Sequence, residues 1–228
     1  MPIIVKNTTF PNLLDLLSPH SCRGCGRLGE PFCKCCKNNI LKSHQNICPN
    51  CKKSNPTGSC LNCKNLPPIY VVSNRNGIVG SLIHDYKYHS VRALARPLAE
   101  LLDISLPKTL PRNSILVPLP TATNHIRSRG LDHTYLIAKR LSKTRHVPVK
   151  RILLRNKNIV QVGATRKQRL LQASSAYILN PKTALNPNST YILLDDVWTT
   201  GASIKAAVNI LRRAGAQKTI IALLAYSD

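Results

Sequence analysis

YILLDDVWTTGAS, running from Tyr191 to Ser203, holds the densest information in the chain. Four apolar residues, Tyr191 to Leu194, predict a buried strand, and two adjacent acids, Asp195 and Asp196, stand at its carboxyl end, where open α/β sheets bind their ligands. Thr199, Thr200, Gly201, Ala202 and Ser203 then open a helix. Small residues there let the backbone close round a phosphate, and a helix N-terminus presents unpaired N–H groups to an anion. The plainer alternative makes Asp196 a helix cap and Thr199 to Gly201 an ordinary turn.

Outward from this string the pattern alternates. Ile78 to His84 leads into a helix carrying Leu94, Leu98, Leu101 and Leu102 at helical spacing. Ile115 to Pro118 reads as a short strand, Thr134 to Leu141 as a helix, and Ser203 to Arg213 as a helix ended by Gly215. Thr219 to Ala225 reads as a closing strand. Strand, helix and strand in this order predict an α/β fold with a parallel sheet covered by helices.

All nine cysteines fall between Cys22 and Cys63. Four C-x-x-C pairs can be read, Cys22/Cys25, Cys33/Cys36, Cys48/Cys51 and Cys60/Cys63, leaving Cys35 over. Two such turns supply four thiolates to a tetrahedral metal, so four turns suffice for two structural zinc sites, a double zinc-ribbon-like module. Disulfides, a redox dithiol and an iron–sulfur cluster are the competing uses, disfavoured by the odd count, the repetition and the regular spacing respectively. Which pairs share a metal stays open, as does an exchange of roles between Cys35 and Cys36. Composition divides the chain into residues 1–66, the cysteine module, and residues 67–228, the α/β domain, with Pro67 and Pro68 in the linker from Asn65 to Ile69.

The chain of 228 residues carries 33 Lys and Arg against nine Asp and Glu, a formal charge of +24. Such an excess repels itself in a compact fold and points to a polyanionic partner, nucleic acid before an acidic membrane surface, with a generally basic proteome as the third explanation. Between His133 and Leu194 there are twelve Lys or Arg and no acid. Arg140, Lys143, Arg145, Lys150, Arg151, Arg155, Lys157, Arg166, Lys167 and Arg169 make this block the candidate phosphate-tracking groove. Aromatic residues are scarce there, with only Tyr135 and Tyr177 flanking it, so binding is expected to be electrostatic rather than sequence-specific. No apolar run is long enough to span a bilayer and the N-terminus lacks a secretory pattern. The expected location is the cytoplasm, with peripheral contact at the inner membrane face as a secondary option through a short helix around Leu13 to Leu17.

The Tyr191 to Ser203 string resembles the phosphoribosyl pyrophosphate (PRPP) motif of type I phosphoribosyltransferases, and with the preceding C-x-x-C pairs nearly the whole chain resembles the ComF family, competence proteins of natural transformation. The resemblance implies that Asp195 and Asp196 hold the ribose hydroxyls and that Thr199, Thr200, Gly201, Ala202 and Ser203 wrap the 5′-phosphate. His84 to Tyr88 resembles the family's lysine–tyrosine segment and makes Lys87 a candidate for the pyrophosphate end. Val117 to Pro120 followed by Arg127 to His133 resembles its VP strand and RGFNQ-like run, with Arg127 and Arg129 as anion ligands. Leu131, Asp132 and His133 depart from that run, which leaves the Asp132/His133 pair without an implied role; His133 is expected at the surface. Gln161 to Tyr177 resembles the family's flexible loop, with Arg169 in place and Gln172 where Asn is usual. Trp198 is expected to pack beneath the loop.

Three functions follow as expectations. The first is a PRPP-binding protein that handles single-stranded DNA during transformation. The second is an active transferase moving ribose 5-phosphate from PRPP, with Mg²⁺, to an acceptor whose recognition segment is not visible in the sequence. The third is an adaptor whose cysteine module recruits a DNA-uptake helicase or recombination proteins.

Overall fold

The computed structural model describes residues 20–42, 44–121, 130, 132–156 and 176–227. The helix expected near Leu13, and Arg127, Arg129, Arg169 and Gln172, lie outside these. Four strands form a parallel sheet: β3 (Ile69–Asn74), β4 (Ser114–Pro118), β7 (Thr190–Trp198) and β8 (Lys218–Tyr226), in the spatial order β3-β8-β7-β4. Parallel neighbours need crossover connections. These are α2 (Ile78–Tyr88) and α3 (Ala95–Ser105) between β3 and β4, α4 (His133–Arg145) between β4 and β7, and α5 (Ala202–Arg213) between β7 and β8.

Side chains alternate across each strand, so every strand feeds two cores. Ile192 and Leu194 of β7, with Ala222 and Leu224 of β8, face α2, α3 and α4 through Leu82, Leu98, Leu101 and Leu141. Tyr191 and Leu193, with Ile221 and Leu223, face α5 through Ile204, Ala207 and Leu211. At roughly 25 cal/mol per Å² of apolar surface removed from water, this two-sided burial is the main driving force for the fold.

Three differences from the sequence expectations have physical causes. Of the leucines expected on one helix, Leu98, Leu101 and Leu102 lie on α3 and Leu94 ends a short 3₁₀ turn, Arg92–Leu94, before it, while Ile78 opens the separate helix α2, because the chain turns at Ser90, where φ is +55°. Strand β3 begins at Ile69, inside the expected linker; its apolar residues Ile69 and Val71 face one core and Val72 the other. An antiparallel ribbon of β5 (Leu153–Arg155) and β6 (Tyr177–Leu179), absent from the expectations, covers part of the α5 face.

The cysteine-bearing segment wraps both faces. Strands β1 (His20–Ser21) and β2 (Leu28–Gly29) and helix α1 (Lys34–Lys42) carry the first two C-x-x-C turns. They sink Cys22 and Phe32 into the core beside α2 and α3. The third and fourth turns lie near α5, where Ile47 and Leu66 pack on the other core. Among the described residues, no helix is long and apolar enough to cross a membrane.

Candidate functional site

Strand β7 runs four residues past the expected end, to Trp198, so Asp195 and Asp196 lie within it, paired alongside β8. Their side chains meet a cleft of about 250 Å³ lined by Lys87, Tyr88, Leu119, Pro120, Thr121, His133, Thr134, Arg155 and Tyr177. Lys87 sits in the last turn of α2 and its ammonium pairs with the Asp196 carboxylate. The cleft therefore gathers two carboxylates from β7, a lysine from α2 and an arginine from β5 at the carboxyl ends of the strands.

Burial pushes the Asp195 carboxyl up to about 7, assisted by the adjacent Asp196 charge. Lys87, the Asp196 N–H and Arg155 pull in the opposite direction but do not win. A carboxyl poised there takes up or yields a proton near neutrality, and in its charged form accepts hydrogen bonds from ligand hydroxyls. Burial, followed by the Asp195 charge, likewise pushes the Tyr177 phenol up to about 12, and its ring lies 5.2 Å beneath the Arg155 guanidinium.

The loop after β7 is shaped by Trp198 and Gly201. Gly201 has φ +72°, and a Cβ there would meet the Trp198 ring at 2.1 Å, so both backbone and space demand glycine. Trp198 is only 2% exposed and packs under the loop, as expected. Ala202 N–H donates to Thr200 Oγ1 at 3.3 Å, and α5 begins with its first-turn N–H groups directed at the loop. Lys205 of that first turn lies 5.6 Å from the Trp198 ring.

One residue departs from its expected place, and its neighbour takes a structural role. His133 is 2% exposed rather than superficial, with its ring edge-on to Tyr86 at 4.7 Å. Asp132 caps α4, accepting from Tyr135 N–H at 3.3 Å, and pairs with Arg151. The basic block also divides. Arg145 is consumed by Asp103 and by the carbonyls of Asp103, Pro107 and Lys108, so it is unavailable to a ligand groove. Arg155 faces the cleft, while Arg140, Lys143, Lys150 and Arg151 stay exposed. Arg155 and Tyr177 were indistinguishable in sequence from their neighbours; only the ribbon that brings them over Asp195 selects them.

The cysteines resolve into consecutive tetrads, Cys22, Cys25, Cys33, Cys36 and Cys48, Cys51, Cys60, Cys63, the sulfurs in each lying within 4.8 Å of one another. Cys35 is exposed and belongs to neither. Four thiolates on a zinc ion at ~2.3 Å would stand roughly 3.8 Å apart. The Cys25–Cys33 and Cys51–Cys60 separations are 3.7 and 3.5 Å. Burial raises the Cys22 thiol, but N–H groups of Cys33, Cys25 and Gly24 outweigh it and bring it down to about 6. The Lys53 N–H draws Cys51 down to about 7, whereas burial pushes Cys36 and Cys48 up to about 12. Thiolates this close coexist only around a cation, so the donor sets fit a tetrahedral metal.

Comparison with known proteins matches this arrangement. The competence protein ComFC of Bacillus subtilis (strain 168) is 24% identical over 198 residues, covering 82% of this chain and 80% of that protein. Competence protein F of Haemophilus influenzae is 24% identical over 206 residues, covering 86% of each. This is a ComF-like chain. The uracil phosphoribosyltransferase family matches residues 147–226, the span from the ribbon through β8. The ComF-like chain thus carries a type I phosphoribosyltransferase fold with an N-terminal segment of paired cysteine turns. Adenine phosphoribosyl transferase from Trypanosoma brucei, solved with AMP, pyrophosphate and ribose-5-phosphate, is 12% identical with a TM-score of 0.36, covering 61% of this chain and 66% of that one. Overlap at that score adds nothing to the topology.

Proposed function

We propose that this chain is a ComF-type competence protein that binds PRPP and handles single-stranded DNA, with two structural zinc ions. The observation that carries the PRPP reading is the cleft that gathers Lys87 with Asp195 and Asp196 of β7, the strand that runs on into the Thr199 to Ser203 loop. In this reading the acids accept from the ribose hydroxyls and the loop and α5 N-terminus take the 5′-phosphate. Lys87 leaves Asp196 for the pyrophosphate, and Arg155 adds a second cation there. Mg²⁺ bound with PRPP would neutralise pyrophosphate oxygens, and the carboxylates are the hard oxygen ligands it prefers. Arg127 and Arg129 remain anion ligands carried over from the family resemblance. The +24 charge and the exposed cations of α4 and the following segment support the DNA reading. The proposed division at residues 66 and 67 assigns zinc binding to the first part and PRPP binding to the second.

The active-transferase reading is favoured by one observation, the adjacent Asp195 and Asp196 carboxyls of β7 that both line the cleft. That pair would stabilise positive charge developing on the ribose.

The decisive test is thermal. PRPP with Mg²⁺ is expected to raise the midpoint of the full chain by several degrees, and the combined Asp195→Ala and Asp196→Ala variant to show no such rise. An equal rise in that variant would sink the proposed site. Release of pyrophosphate with any nucleobase would select the transferase reading over the ligand-sensing one.

A further inference from the structure

The outer side of α2 and His89 just past its end carry three rings at the lip of the cleft. His84 and Tyr88 are one helical turn apart, with ring centroids 5.0 Å apart and planes at 38°, and His89 stands edge-on to His84 at 5.1 Å. All three are open to solvent: Tyr88 is 57% exposed, and the side chains of His84 and His89 are 56% and 60% exposed. Tyr88 is the one tyrosine, phenylalanine or tryptophan with an exposed side chain among the described residues. It also lines the cleft, next to Lys87.

Exposed rings this close together offer flat faces on which another ring can stack. The inner face of the same helix is already satisfied by Val79, Leu82, Ile83 and Tyr86, so the core does not need these rings. Cations surround them. Arg23, from the first cysteine turn, pairs with Asp85 at 3.0 Å between the histidines, Lys87 adjoins Tyr88, and Arg92 is exposed just beyond the helix. His84, Asp85 and His89 also lie close enough to ligate a metal, but Arg23 on the Asp85 carboxylate places a positive charge where a cation would sit.

We infer that the His84, Tyr88 and His89 rings form a stacking platform for a nucleobase of single-stranded nucleic acid, with Arg92 holding a flanking phosphate. The inference rests on the nucleic-acid part of the proposed function and places the strand against the lip of the cleft. Rings flanked by cations are how strands are held without sequence readout. The platform supplies the aromatic element that the basic block lacks.

The test uses the full, metal-loaded chain and two fluorescent strands of about 20 nucleotides, oligothymidylate and an abasic phosphodiester of equal length. The wild type is expected to prefer oligothymidylate. Tyr88→Ala should weaken that binding about tenfold, leave the abasic strand and the salt dependence unchanged, and be rescued by Tyr88→Phe. A 2-aminopurine strand should lose fluorescence on the wild type and keep it on Tyr88→Ala. Far-UV circular dichroism checks that the variant is folded. Equal affinity of the wild type and Tyr88→Ala for oligothymidylate overturns the platform alone. Failure of the wild type to bind either strand overturns the nucleic-acid reading together with it.

Discussion

The two cysteine tetrads are made of the same turns, yet they grip the sheet by different forces. The first inserts Cys22 and Phe32 into a core and adds ion pairs, Lys37 to Glu100 at 2.6 Å and Arg23 to Asp85 at 3.0 Å. The second uses amides. Asn46 Nδ2 donates to the Ile69 carbonyl at 3.0 Å and its Oδ1 accepts from Val71 N–H at 3.0 Å, while Asn55 Nδ2 donates to Gly58 and Ile69 at 2.9 and 3.2 Å. These bonds cover the outer edge of β3, which would otherwise offer unpaired backbone to another chain. One tetrad is thus held by charge against the helix that carries Lys87. The other is stitched to a strand edge and reaches the phosphate-loop helix through Lys205, which donates to Asn50 Oδ1 at 2.8 Å.

Metal removal is expected to have the largest effect on this contrast. Chelation should lower the thermal midpoint by more than about 10 °C, since the metals supply much of the segment's folding free energy. Paired serine variants separate the tetrads: Cys48→Ser with Cys63→Ser should expose the β3 edge and promote association visible by light scattering, whereas Cys22→Ser with Cys36→Ser should destabilise without associating. Equal association of both would erase the distinction.

Asn55→Ala comes next. Asn55 is 1% exposed, and losing its donors should cost about 1–3 kcal/mol in denaturant titration, independent of salt.

A third prediction concerns Asp195, on the strand that both faces share. Its pKa in the fold lies above the ordinary carboxyl value, so the neutral form is the one the fold favours. Stability is present in full in acid and is lost as pH rises through about 7. Between about pH 4 and pH 7 the wild type should lose several degrees relative to Asp195→Asn, whose stability does not depend on that proton. Parallel pH profiles would show the carboxyl to be charged throughout.

The smallest effect belongs to the first tetrad's ion pair. Glu100→Gln should cost about 0.5–1 kcal/mol at low salt and nearly nothing at ~1 M salt, where screening reaches ~3 Å. A salt-insensitive loss would make the two attachments alike.

The parts of this fold that could be read from the sequence were those with a local cause. The apolar run before Asp195 and the small residues before α5 state their conformations by themselves, and so does Gly215, at φ +97° after that helix. The pairing of the cysteine turns could not be read, because four equally spaced turns have no local preference among partners. Strand β3 was obscured by the prolines before it, and its pairing with β8 joins residues at opposite ends of the α/β region. Arg155 looked like any other cation of an unmixed basic stretch until the β5–β6 ribbon set it over Tyr177. His133 looked superficial because its burial comes from a ring on another helix, Tyr86. In the site, the acids, Lys87 and the loop were legible; the ribbon's contribution was not.

Gly201 has one more consequence. Its missing side chain brings the backbone down onto the only tryptophan in the chain. Tryptophan emission of the unlabelled protein therefore comes from a single indole beneath the loop proposed to close on phosphate. Any ligand that reshapes that loop alters the light it gives off, so the molecule contains its own optical gauge of occupancy.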